Sequence, residues 1–110
     1  MAGRFEIYTD SAGQHRFRLR AGNGEVVLVS EGYKRRINAR KGVASVQRNV
    51  LRDERFERRT TRSGAPMFNL RAANGQVIGT SEAYASLEAR EDGIDAVRRA
   101  APLATVAELP

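Results

Sequence analysis

The sequence predicts an α+β fold: two tandem βββα units, each with room for a further strand, forming one antiparallel sheet with both helices packed on one face. Three observations carry this. The 110-residue chain repeats itself with a period of 51 residues. Within each copy, apolar and polar residues alternate with the period of two that marks half-buried strands. Each copy then runs into a stretch whose apolar residues recur at helical spacing.

The duplication needs no gap. From residue 5 to 50, 17 of 46 positions are identical to those 51 residues on. Phe5-Glu6 falls on Phe56-Glu57, Leu19-Arg20-Ala21 on Leu70-Arg71-Ala72, Asn23-Gly24 on Asn74-Gly75, and Ser30-Glu31 with Tyr33 on Ser81-Glu82 with Tyr84. The chain is thus read as one domain, 1–110, built of a first repeat, 4–51, a second repeat, 55–101, and a tail, 102–110. A linker this short favours two docked units over beads on a string.

Residues 4–9 form the first strand, with Phe5 and Ile7 on one side. Residues 15–21 alternate most cleanly: Phe17 and Leu19 face one way, Arg16, Arg18 and Arg20 the other. Asn23-Gly24 suits a type I′ hairpin turn, and residues 25–30 make the third strand. The helix follows over about residues 35–50, with Ile37, Ala39, Val43, Val46 and Val50 on its stripe. Its copy carries Leu87, Ile94, Val97 and Ala101. Phe17, Leu19, Val26 and Val46, with Phe68, Leu70, Val77 and Val97, are the expected core. Gly42 and Gly93 mark either close helix–sheet contact or a break after a first short turn. Residues 103–109 form either a last short strand or a frayed end.

The second copy departs from the first at three strand positions. Arg58 stands for Ile7, Arg59 for Tyr8 and Gly79 for Leu28. Its first strand is therefore expected to be more exposed or differently registered.

Composition excludes more than it assigns. With no cysteine, disulfides, thiolate metal sites and cysteine nucleophiles are ruled out, and one histidine cannot build a histidine cluster. No apolar run reaches the length of a membrane span. The N-terminus shows no signal-peptide core, so a cytoplasmic location and no membrane partner are expected. The net charge of +6 lies wholly in residues 1–51, where ten cations face four acids; residues 52–110 hold nine of each.

Phe17-Arg18-Leu19-Arg20-Ala21, Asn23-Gly24-Glu25-Val26, Ser30-Glu31-Gly32-Tyr33 and Gly42-Val43-Ala44-Ser45-Val46, with their counterparts 51 residues on, resemble the repeat of the YegP-like family. The resemblance covers residues 4–101. It implies β(3)-α-β units in a single antiparallel sheet, and it supplies no catalytic motif.

The side chains give no enzyme. His15 sits beside a turn, and its counterpart is Pro66. Glu6 with Glu57, and Glu31 with Glu82, are symmetric carboxylates that could share acid–base work only at about 5–9 Å; otherwise each bonds a nearby arginine or amide. Neither a phosphate-cradling glycine loop nor an oxygen-rich metal loop is present. No catalytic, metal or cofactor residues are therefore expected. Two surfaces remain. Glu31 and Tyr33, with Glu82 and Tyr84, sit at matching strand–helix junctions, where the tyrosine hydroxyls should find polar partners or a pair of ligand pockets should open. Tyr8, Arg16, Arg18 and Arg20, with Lys34, Arg35 and Arg36 at the helix start, make a basic surface. The uncovered face also carries Val27, Val29, Met67 and Ile78. The expectation is a protein-interaction or self-associating module. The alternative is weak single-stranded nucleic-acid binding through the basic sheet face of the first repeat.

Overall fold

A computed structural model of the protein describes residues 3–110; Met1 and Ala2 lie outside the described residues. The strands are β1 (Arg4–Thr9), β2 (His15–Arg20), β3 (Val26–Val29), β4 (Phe56–Thr60), β5 (Pro66–Arg71), β6 (Val77–Thr80) and β7 (Thr105–Glu108). The helices are α1 (Arg36–Asn49) and α2 (Leu87–Ala100). All seven strands form one sheet in the order β4-β5-β6-β3-β2-β1-β7. The α+β class, the tandem units and the shared sheet are as the sequence predicts. The sheet is mixed rather than wholly antiparallel, because β7 runs parallel to β1.

The repeats meet at β3 and β6, where Val29 lies opposite Thr80. These two residues are 51 apart, so the pseudo-twofold axis passes between them. Repeat-matched Leu28 and Gly79 flank the axis on the core side. A Cβ on Gly79 would stand 2.6 Å from Cγ and Cδ2 of Leu28, so the one leucine fills the room that two would dispute. Here the departure noted in the sequence has its reason.

The core lies between sheet and helices. Phe5 and Phe17 meet edge to face at 5.9 Å, and their copies Phe56 and Phe68 at 5.8 Å. Leu19, Leu28, Val46, Leu70 and Val97 are fully buried. Ile37 and Leu87, both in the first turns of their helices, are exposed rather than part of the buried stripes. The expected burial of Val26 and Val77 is also corrected. A register shift between Leu19 and Arg20 places Val26 opposite Arg20, on the outer face, and buries Val27 instead. The same shift between Leu70 and Arg71 exchanges Val77 for Ile78. Val27 and Ile78 thus leave the uncovered face and join the core.

Local chemistry explains the ends of the elements. Among the described residues no residue other than glycine has positive φ, so the Asn-Gly hairpins are not type I′. Gly24 (φ 86) and Gly75 (φ 85) instead take the single left-handed position after a type I turn, with Gly24 N–H donating to Ala21 O. Gly42 and Gly93 mark close helix–sheet contact, not a break. A Cβ on Gly42 would stand 2.7 Å from the Phe17 ring, and one on Gly93 would run into the Tyr84 hydroxyl. Ser86 caps α2 by accepting from Ala89 N–H at 3.0 Å, while α1 begins at Arg35 without a side-chain cap.

β4 keeps the register of β1, pairing Arg58 with Phe68 as Ile7 pairs with Phe17. It differs in exposure. Ile7 is covered by β7, whereas β4 is the edge of the sheet and Arg58 reaches Glu91 of α2 at 2.9 Å. Charged side chains on a free edge also hinder pairing with another chain.

Candidate functional site

Both helices lie on one side, so the other face of the sheet is uncovered. Alternation along β1 and β2 puts Arg4, Glu6 and Tyr8 beside Arg20, Arg18 and Arg16 there. Glu6 is the hub. Its carboxylate accepts from Arg18 at 2.7 Å and Arg20 at 2.8 Å, and Arg4 lies 3.2 Å away. The Arg18 bond, then the Arg20 bond, hold this carboxyl below its usual range against the opposing effect of burial. Arg16 bonds Asp10 at 2.7 Å, which lowers the Asp10 carboxyl in turn. The Arg18 guanidinium sits 4.5 Å from the centre of the Tyr8 ring, a cation–π contact.

The second repeat carries a thinner version. Glu57 accepts from Arg71 at 2.9 Å and from Asn69 at 3.2 Å, with Arg59 3.7 Å away. Between these two polar lattices run Val26, Val29 and Val77, all partly exposed, with Met67 beside them. The Glu6–Glu57 pairing weighed from sequence does not form. Glu6 and Glu57 stand on β1 and β4, five strand spacings apart, or about 24 Å. Each is bonded to arginine.

The basic surface proposed from sequence is divided. Tyr8, Arg16, Arg18 and Arg20 share the uncovered face. Arg36 instead belongs to the helical layer and turns toward β7, reaching Thr9 Oγ1 and Leu109 O at 3.3 Å and Glu108 at 3.4 Å. Arg40 completes that clamp on Glu108 at 2.8 Å. Lys34 and Arg35 are exposed beside it.

The junctions are built alike. Ser30 Oγ accepts from Phe17 N–H at 2.8 Å and Ser81 Oγ from Phe68 N–H at 2.9 Å. Tyr33 exchanges two backbone hydrogen bonds with His15, both 2.7 Å. Tyr84 makes one, to Pro66 O, because proline has no N–H to return. Among the described residues neither tyrosine hydroxyl finds a hydrogen-bond partner, contrary to expectation: each lies over a helix glycine, which offers none. Desolvation, then Glu31, raises the Tyr33 phenol; desolvation, then Glu82 and Glu25, raises that of Tyr84. Tyr84 stacks on Phe68 at 6.2 Å. Glu82 and Tyr84 line a 240 Å³ cavity together with Glu25 and Val27 of the other repeat.

Sequence reasoning missed Asp10 and Glu108. Asp10 was legible as a turn residue six positions before Arg16, but Glu108 meets α1 across 68 residues with no local signal.

The sequence pattern "Domain of unknown function (DUF1508)" matches residues 10–57 and 62–108. The chain is 50% identical over 109 residues to a UPF0339 protein in the ptx operon 5′ region of Stutzerimonas stutzeri, covering 99% of this chain and 98% of that one. It is 49% identical over 98 residues to the UPF0339 protein YegP of Escherichia coli K12, covering 89% of each. The solution NMR structure of yegP from E. coli, a protein of unknown function, superimposes with a TM-score of 0.93 at 46% identity, over 98% of this chain and 93% of that one. That of a UPF0339 protein from Shewanella oneidensis gives 0.92 at 41% identity, over 99% and 92%.

Proposed function

The chain belongs to the DUF1508 family, two of whose domains it carries in tandem, and from the surface this fold leaves open we propose that it is a non-catalytic binding module whose uncovered sheet face docks an acidic protein partner. The observation behind this is the excess of cations on that face. Arg4, Arg16, Arg18, Arg20, Arg59 and Arg71 stand there against Asp10, Glu6 and Glu57. A second copy would bring like charge to like charge. A carboxylate-bearing surface would meet guanidinium groups already fixed in place, with Val26, Val29 and Val77 as the apolar centre. Seven strands about 4.8 Å apart and some 15 Å long offer roughly 400–500 Å² in projection, the scale of a transient interface.

Nucleic acid is the second reading. Against it, a base stacking on Tyr8 must first displace the Arg18 guanidinium lying over the ring. Fluorescence anisotropy with a labelled peptide alternating glutamate and valine tests the choice. Binding should weaken with salt and fall on Arg16→Gln or Arg18→Gln, while Arg35→Gln leaves it unchanged. No binding, or binding indifferent to Arg16 and Arg18, refutes the reading. Tighter binding of single-stranded RNA to the same arginines replaces it with the nucleic-acid reading. A dimer in sedimentation equilibrium that Arg18→Gln dissolves replaces it with self-association.

A further inference from the structure

A second site, chemically unlike the sheet face, lies where α1 ends. Its last two turns, the 3₁₀ turn Asp53–Arg55 and the tip of the β5–β6 hairpin enclose an open cavity of about 460 Å³, within the range of small-molecule sites. Ser45, Arg48, Asn49, Arg52, Arg55 and the 72–74 turn line it. We propose that this cavity binds a phosphate group, as the free anion or as a small phosphomonoester.

The side chains that line the cavity carry a surplus of donors. Asn49 is buried, and both ends of its amide are engaged: Oδ1 accepts from Arg55 at 2.6 Å and Nδ2 donates to Ser45 O at 2.8 Å and to Ser45 Oγ at 3.2 Å. Arg55 is thereby held in place by a neutral partner. Ser45 Oγ, accepting from Asn49, has its own proton to give. Asn74 accepts from Gln76 N–H through Oδ1, which leaves its NH₂ free to donate. Among the described residues Arg48 and Arg55 have no carboxylate within 4.0 Å, and Arg52 has only Glu54 at 3.4 Å, both largely exposed. Three guanidinium groups around one cavity repel each other until an anion joins them. A ligand with several acceptor oxygens and a double charge answers both the donor surplus and the repulsion, and planar guanidinium forks match phosphate.

The other repeat shows that the fold does not require this chemistry. Shifted by 51 residues, Ser45, Arg48, Asn49 and the 72–74 turn become Ala96, Arg99, Ala100 and the 21–23 turn, which line a matching cavity of 240 Å³. A cation in a last helical turn suits the helix dipole, and that accounts for Arg48 and Arg99 alike. It does not account for Ser45, Asn49, Arg52 and Arg55. Their counterparts are Ala96, Ala100, Leu103 and Val106, and the last two do not line the smaller cavity. The corner was built twice, and only one copy gained Ser45, Asn49, Arg52 and Arg55 around it.

The experiment is a titration of the full chain, labelled with nitrogen-15, with inorganic phosphate at constant ionic strength in chloride, read by NMR from the Arg side-chain Nε–H signals and the backbone amides of residues 72–74. Saturable shifts are expected there, with none at residues 21–23. Arg48→Gln, an exposed change that leaves the Asn49 bonds intact, should weaken binding about tenfold, the loss of one charge-assisted contact. Arg55→Gln should weaken it at least as much, and Arg99→Gln should leave it unchanged. A nucleoside monophosphate that binds more tightly than phosphate identifies a phosphomonoester as the ligand; equal affinity identifies the free anion. Shifts that do not saturate, that chloride reproduces, that appear equally at both cavities, or that survive Arg48→Gln overturn the proposal.

Discussion

Exchanging the two residues beside the pseudo-twofold axis gives a sharp test of how the repeats fit. Leu28 is fully buried, and Gly79 leaves it the space beside the seam. Leu28→Gly removes a whole leucine side chain and leaves a void, for about 2–5 kcal/mol. Gly79→Leu adds four carbons where a single Cβ would already stand 2.6 Å from Leu28. That overpacks the core by about 1–3 kcal/mol or more, since neither side chain has room to yield. The double exchange puts one leucine back into the same space from the opposite repeat. It should therefore be more stable than Leu28→Gly alone, with a favourable coupling of roughly 1–3 kcal/mol against the sum of the singles. Urea unfolding, comparing midpoints at constant m-value, measures all four corners of the cycle. Additive losses would show that the two positions do not share one space, and the account of the axis would fail.

Two further outcomes follow from packing and charge. Gly42→Ala should destabilise by about 0.5–2 kcal/mol despite the better helix former, because its Cβ meets the buried Phe17 ring; a gain in thermal stability contradicts the close contact. Gly93→Ala should be milder, since half-exposed Tyr84 can swing away at the loss of its stack on Phe68. Glu6→Gln should cost roughly 1–3 kcal/mol at pH 7 by unpairing its arginines. The folded Glu6 carboxyl titrates below its unfolded value of 4.5, so its contribution is present above that pH and lost as pH falls through the folded value. Unfolding midpoints from pH 7 to 3 should thus fall more steeply in the wild type than in Glu6→Gln; parallel curves contradict the hub.

What the sequence revealed was what is local or repeated. The duplication, the alternation along β2 and the helical stripes each show within a few residues, and they establish the units and most of the core. The register shift after Leu19 is not written in any propensity, so plain alternation assigns Val26 and Val27 to the wrong faces. β7 pairs with β1 across 101 residues, Arg4 with Thr105, and that parallel contact has no local signature. Arg16, Arg18 and Arg20 were correctly placed on one face, yet their engagement by Asp10 and Glu6 depends on strand register. Lys34, Arg35 and Arg36 joined them in sequence only, because a strand–helix junction carries the chain to the other layer. The arginine cavity has no sequence signature, because its walls come from two repeats.

The claim that the uncovered sheet face is the working surface is tested most directly by mapping where an acidic partner lands. The nitrogen-15-labelled protein is titrated with the peptide alternating glutamate and valine, and backbone amide shifts are followed residue by residue. The largest shifts should fall at Glu6, Arg18, Val29 and Thr80, on the outer side of β1, β2, β3 and β6, with α1 and α2 still. Shifts confined to the helices or to the arginine cavity at Arg48–Arg55, or none at saturating peptide, contradict it.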